Sequence, residues 1–260
     1  MSCGTNDPIF TDAVEPTLEG NLERASFINA LKRSDIQARD TRFKPGTRID
    51  EQTARLFAIR DGFQYVVSSM IEPSATGYQL TVKVIDSPAD GKVLKTFTQA
   101  VSNKDGVLGA ISSIATKVRS QLGDTSVTRE ETATSETFTA GSLAAVRAYT
   151  TANALAAQAK DAEAIAQYQL AVQFDPNLGR AYSGWAISAA KLGRADESAD
   201  LWKKALSLLD RMTEREKYRT LGTYYSRVIG NQEKAIETFN ELLSKYPADG
   251  AGHNNLALSL

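Results

Sequence analysis

The stretch AEAIAQYQLAVQFDPN at residues 162–177 returns as EKAIETFNELLSKYPAD at 233–249, and a third version, ESADLWKKALSLLD at 197–210, lies between them. Setting Ala164 over Ala235 puts Ile165 on Ile236, Tyr168 on Phe239, Ala171 on Leu242, Val172 on Leu243 and Pro176 on Pro247. The middle copy supplies Ser198, Ala199, Trp202, Ala205 and Leu206 at the matching places. Equivalent small residues thus stand at Ala164, Ser198 and Ala235, and the second interval is the longer by three. Each copy reads small residue, aromatic four later, small or apolar three after that, which is one face of an α-helix. The first interval has the period, about 34, of helix-turn-helix repeats, which bury their apolar faces against their neighbours.

A further helical stretch precedes each copy: LAAVRAYTTANALAAQAK, GRAYSGWAISAAKLGR and EREKYRTLGTYYSRVIGN. Gly193 and Gly230 stand where the first helix of a pair ends, because glycine tolerates the left-handed conformation there. Pro176 and Pro247 stop the second helices. The three extra residues of the second interval fall around DRMTEREKYR, where Asp210 replaces the expected proline, and predict a longer second helix or an extra half turn. The final DGAGHNNLALSL opens a fourth pair, with His253, Leu256 and Ala257 at first-helix positions. LALSL lacks the polar outer face of a terminal cap, so the chain reads as a fragment whose last helix leaves Leu256, Leu258 and Leu260 open to self-association.

With Trp185-Ala186, Gly193, Ser198, Trp202 and Ala205 at signature places, this half resembles the tetratricopeptide repeats (TPR). The resemblance implies a curved solenoid whose concave groove is lined by the first helices. The family's contact positions fall on Val146, Tyr149, Asn153 and Ala156, on Arg180, Ser183, Ile187 and Lys191, and on Lys217, Thr220, Tyr224 and Arg227, with Asn254 extending the row. The candidates for partner contact are Tyr149, Asn153, Arg180, Ile187, Lys191, Tyr224, Arg227 and Asn254. Arg and Tyr are favoured interface types, and Arg180, Lys191 and Arg227 suit an acidic peptide. The full Lys/Asn/Arg clamp for a peptide's terminal carboxylate is not reproduced.

Ahead of the repeats, residues 123–142 (GDTSVTREETATSETFTAGS) have the Thr/Ser/Glu composition of a linker. In residues 1–122, YQLTVKVID alternates Leu80, Val82 and Val84 with Gln79, Thr81 and Lys83, a strand with one wet face. FQYVVSSMI precedes it, and KVLKTFTQAV follows the turn signal SPADG, which gives an antiparallel meander. Leu108, Ile111, Ile114, Ala115, Val118 and Leu122 have helical spacing, with Asn103 or Asp105 as cap and Gly123 as stop. RIDEQTARLFAIRDG predicts a helix between Asp50 and Gly62. Val14, Leu18 and Leu22 predict another, which accommodates Pro16 only if it starts near Phe10–Asp12. SFINAL predicts a short strand. The fold class is therefore an α/β mixed-sheet domain in the order α-β-α-β-β-β-α, followed by the all-α solenoid of residues 143–260.

TNDPIF, AIRDGFQYVVSSMI, LTVKVIDSPADGKVL, DRMTEREKYRTLGTYY and HNNLAL together resemble the TolB amino-terminal-like domain joined to tetratricopeptide repeats in bacterial signalling proteins. An apolar strand normally precedes the segment matching TNDP, so the sheet is expected to be one strand short. The resemblance implies an accessory region of a Ser/Thr protein kinase, a nucleotide cyclase or a transcription regulator, with the catalytic or DNA-binding part elsewhere.

Catalytic chemistry finds no carriers. The single histidine, His253, has a packing or groove position, and the single cysteine, Cys3, has no partner for a disulfide within the chain. DGKV lacks phosphate-loop spacing, kinase signatures are missing, and no Cys/His cluster suits zinc. Glu130-Glu131 and the EREK run at 214–217 read as solvated charge. Residues 1–122 carry 15 basic and 14 acidic residues and 123–260 carry 15 and 17, so neither half has a nucleic-acid footprint. No apolar run approaches the length of a membrane span, and MSCGTNDPIF lacks a signal-peptide core. The sequence thus predicts a module without catalytic residues, cofactor or metal, whose groove binds a protein or peptide.

Overall fold

A strand that alternates apolar and polar residues needs one dry face, and a computed structural model of the chain supplies it. The structure describes residues 8–31, 36, 49–88, 90–125, 141–247 and 249–260. The chain divides into two compact units, residues 1–22 with 30–137, and residues 23–29 with 138–260.

The first unit holds α1 (Pro8–Leu22), α2 (Glu51–Asp61), β1 (Tyr65–Ser74), β2 (Gly77–Asp86), β3 (Val93–Val101) and α3 (Gly106–Gln121). The strands form an antiparallel meander in the order β1-β2-β3, with Val82 opposite Ser69 on one side and Phe97 on the other. Leu80, Val82 and Val84 are fully buried. α3 packs on β2 and β3 through its apolar face, which includes Ile111, Ile114 and Val118, and α1 packs against α3. Asp50 caps α2 by accepting from Thr53 N at 2.7 Å, and Gly62 ends it at φ 78°. Of the two candidate caps of α3, Asn103 is the one that accepts from Gly106 N, at 3.0 Å.

Three expectations for this half are corrected. SFINAL (26–31) carries no strand; its first residues form turns in which Ile28 N donates to Ala25 O at 3.2 Å, and residues 23–29 group with the second unit. A strand needs a ladder partner, and these residues pair with none of β1, β2 or β3. The sheet is antiparallel throughout the described residues rather than mixed. α1 starts at Pro8, so Pro16 lies inside it, where it removes one intrahelical donor. The linker expected at 123–142 falls mostly outside the described residues.

The second unit is a helical, TPR-like array: α4 (Leu143–Ala157), α5 (Asp161–Phe174), α6 (Gly179–Lys191), α7 (Ala195–Ser207), α8 (Glu214–Tyr224), α9 (Gln232–Lys245) and α10 (Gly250–Ser259). α4 packs on α5, α6 on α7 and α8 on α9, while the first helices α4, α6, α8 and α10 touch in succession. Trp202 is buried with Ile165, Ala186, Ala189 and Ala205, so the middle pair's large residue also reaches the pair before it. Gly193 (φ 77°) and Gly230 (φ 71°) end their helices in the left-handed conformation, as the sequence predicts.

The longer second interval has two sources. Ala186 packs with Trp202 in the middle pair and Gly222 packs against Phe239 in the third, and the second spacing is the longer by one. The added residue is taken up in a π-helical turn, Tyr225–Ile229, at the end of α8. Single-turn π bulges of this kind absorb insertions without breaking a helix. The rest of the insertion falls in the connection before α8, where a 3₁₀ turn (Leu209–Arg211) supplies the extra half turn.

The EREK run is not a solvated face. Glu214 is exposed, but Arg215 and Glu216 are buried. Thr213 accepts from Glu216 N, and the Glu216 side chain accepts from Thr213 N at 2.9 Å, a reciprocal capping box that starts α8. At the last helix, Leu256 is half-buried against the Phe239 and Leu242 cluster, which corrects the expectation that it is open, while Leu258 and Leu260 are exposed.

Candidate functional site

The first helices of an array of this kind stand side by side, so residues at equivalent places make a row across them. Arg180 is at the centre of that row. It comes from the first turn of α6, is half-buried, and donates from Nη1 to Thr220 Oγ1 of α8 at 3.1 Å. On its other side stands Tyr149 of α4. Burial works against the Arg180 charge, but Tyr149 and Glu216 beside it outweigh burial, and its pKa is displaced upward. Tyr149 is itself buried, with its ring 6.2 Å from that of Tyr168. The Tyr168 hydroxyl donates to Asn153 Oδ1 at 2.8 Å; burial first, then Tyr149, pushes its pKa up, so it remains a donor.

The eight sequence candidates separate by exposure. Asn153, Lys191, Arg227 and Asn254 are exposed. Lys191 pairs with Asp161 at 3.3 Å, and that carboxylate also accepts from Ser188 Oγ at 2.9 Å. Ile187 is half-buried on the Trp202 cluster. Tyr224 has its ring 5.6 Å from Trp202 and belongs to the packing between pairs. Val146, Ser183 and Thr220 are buried and line no groove.

The Gly222–Phe239 contact fixes the register of the third pair one residue earlier than Lys217, Thr220 and Tyr224 require. Glu216, Arg219 and Thr223 take their places in the row. Sequence counting missed them, because a strict helical period carries no mark of the π turn beyond the longer interval. The capping-box pattern Thr213–Glu216 was a second available signal.

Arg219 leads to a buried charge cluster that the sequence also concealed. Asp249, fully buried, accepts from Arg215 Nε at 2.5 Å and from Arg219 Nε at 3.0 Å, with Arg219 Nη2 paired to it at 2.7 Å. It also caps α10 by accepting from Gly252 N at 2.6 Å. Arg215 Nη1 donates to Glu23 O at 2.7 Å and lies 3.6 Å from that residue's carboxylate. Burial acts to raise the Asp249 pKa, but the attraction of Arg219, with hydrogen bonds from both arginines, outweighs it and holds the carboxyl below its ordinary 3.8. The cluster joins the first helices of the third and fourth pairs. Among the described residues no group of His, Cys, Asp and Glu is placed to hold a metal ion, and no helix is long and apolar enough to cross a membrane.

No family model matches the chain, and no curated protein matches it. Solved structures do. One is a chain of the APC/C hetero-tetramer Cut9-Hcn1, at 23% identity over 44% of this chain and 21% of that one, with a TM-score of 0.33. Another is YrrB, a TPR protein with an unusual peptide-binding site, at 21% identity over 45% of this chain and 58% of that one, with a TM-score of 0.32. This chain spans less than two thirds of the length of both.

Proposed function

We propose that the repeat array is a non-catalytic protein- or peptide-binding module whose partner lies along α4, α6, α8 and α10. The observation that carries this reading is the way the first helices are joined: Arg180 of α6 donates to Thr220 of α8 and stands beside Tyr149 of α4, while Asn153, Lys191, Arg227 and Asn254 on the same set of helices stay exposed. Polar side chains fixed by their neighbours lose little freedom when a ligand arrives, which favours binding. The first unit's resemblance to TolB-like domains supports an accessory place for the module in a larger signalling protein. Panning random short peptides over the full chain should enrich binders that fail on the double variant Arg227→Glu, Asn254→Trp, both at exposed positions, at an unchanged melting temperature. An absence of enrichment, or binders indifferent to both changes, overturns the reading.

A further inference from the structure

The sheet of the first unit has two edge strands, β1 and β3. Asp86 N donates to Lys92 O at 3.0 Å, so Asp86 of β2 turns its backbone toward β3. Backbone groups alternate in direction along a strand. Tyr78, Leu80, Val82 and Val84 therefore turn the same way, toward their partners Val101, Gln99, Phe97 and Lys95. The N–H and C=O groups of Thr96, Thr98 and Ala100 are left pointing away from β2. All three residues are exposed, as are Leu94 and Lys95. By the same alternation Pro73 of β1, opposite Tyr78, has its backbone on the outer side of that strand. There its missing N–H takes nothing from the ladder, and a proline blunts an edge. β3 has no such device. VLKTFTQAV, residues 93–101, holds no proline, no glycine and a single charge, Lys95. A long, weakly charged, unpaired edge is a template for another strand.

We propose that this edge pairs with the β3 edge of a second copy of the chain, antiparallel about a twofold axis at Phe97. Phe97 is the midpoint of Val93–Val101, so this register gives the longest overlap. It sets Thr96 against the copy's Thr98 on both sides of the axis, Phe97 against the copy's Phe97, and Lys95 against the copy's Gln99. Thr–Thr and aromatic pairs across strands stabilise a sheet, and like charges directly opposite destabilise it. An edge lysine ordinarily repels a second strand. In this register the strand's one charge meets an amide, and the two lysines of the dimer lie on opposite sides of the axis. Gln99 is half-buried and its Oε1 has no hydrogen-bond partner among the described residues. A turn of that amide brings an acceptor to the Lys95 ammonium. A foreign strand would have to match this pattern from its own sequence, whereas a second copy carries the match already. One strand edge buries little surface, which puts the association at the weak end of specific interfaces.

The test uses the full chain. Sedimentation velocity between about 5 μM and about 1 mM, the range of weak complexes, should show monomer passing to dimer. Thr98→Pro removes an outward N–H that β2 does not use, so it should keep the melting temperature within a few degrees and weaken dimerisation at least about tenfold. Thr96→Lys with Thr98→Lys, both at exposed positions, sets like charges opposite each other on both sides of the axis and should abolish the dimer. Thr96→Glu with Thr98→Lys sets opposite charges there and should restore it. Amide exchange at Thr96, Thr98 and Ala100 should slow as concentration rises, while Phe97 and Gln99, bonded to β2, stay protected throughout. A chain that is monomeric over the whole range, a dimer indifferent to Thr98→Pro, or a Thr96→Glu, Thr98→Lys variant that dimerises no better than Thr96→Lys, Thr98→Lys overturns the proposal.

Discussion

Gly222 lies against the ring of Phe239 so closely that a Cβ on it would come within 2.5 Å of two ring carbons. The contact is the third pair's version of small-against-aromatic packing, and it sets which residues of α8 face the row. Phe239 is almost wholly buried, at 1% exposure, and its ring has no open side to move into.

In an exposed helix interior, Gly→Ala stabilises by about 1 kcal/mol. Gly222→Ala should have the opposite sign, because overpacking a filled core costs about 1–3 kcal/mol. We expect a net loss of about 1–2 kcal/mol in urea denaturation. A stabilised variant would mean that the helices are not in contact at this point.

The π turn makes a separate prediction. Deleting Val228, which is exposed and lies within the turn, should bring the Gly222–Phe239 spacing to that of Ala186 and Trp202. The turn becomes ordinary α-helix, and stability should change by less than about 1 kcal/mol, or about 2–4 °C in melting temperature for a chain this size. A loss of about 3–5 kcal/mol, as for core truncations, would place the extra residue elsewhere.

Ala159 adopts φ 58°, in the place where the later pairs carry Gly193 and Gly230. A left-handed residue with a Cβ costs about 1–2 kcal/mol, partly offset by the lower unfolded-state entropy of Ala relative to Gly. Ala159 is exposed, so no packing is lost on shortening it. Ala159→Gly should therefore stabilise the array by about 0.5–1 kcal/mol. Gly193→Ala, with nothing within 4 Å of the added carbon, should destabilise by a similar amount through backbone strain alone. Equal melting temperatures for the parent and both variants would sink the comparison.

The elements of the repeats were legible because their signals are local. Trp202 and Ala205 share a helix face, and Gly193 and Pro176 mark ends within a few residues of the helices they stop. What was hidden depends on distance or on a break in period. Arg215 and Asp249 are 34 residues apart and form a buried pair, and two charges so placed look like solvated surface in any local window. The one-residue slip that put Thr220 and Tyr224 in the row came from extending a regular period through Tyr225–Ile229. SFINAL has the composition of a strand, but composition supplies no ladder partner. Arg180 was found from its position in the row; its bond to Thr220, 40 residues away, is a tertiary fact.

Asp249 gives the last prediction, and it concerns pH. Its pKa is held below the ordinary 3.8, so its ionised form is favoured by folding. The stability from that preference is present in full above the unfolded value and is lost as pH falls through the lower folded value. It therefore contributes evenly from neutral pH down to about pH 4 and drains away below that. Asp249→Asn removes the carboxylate and leaves Arg215 and Arg219 sharing a neutral amide in a buried site, a change that costs about 3–5 kcal/mol when one partner of a buried pair is lost. The variant should accordingly be weaker at pH 7. Between about pH 4 and pH 2 it should lose less stability than the parent, because it has no proton to take up at this position. Urea titrations of both proteins at pH 7, 5, 4 and 3 provide the comparison. Parallel losses across the acid range would show that Asp249 is not the carboxylate whose protonation loosens the third and fourth pairs.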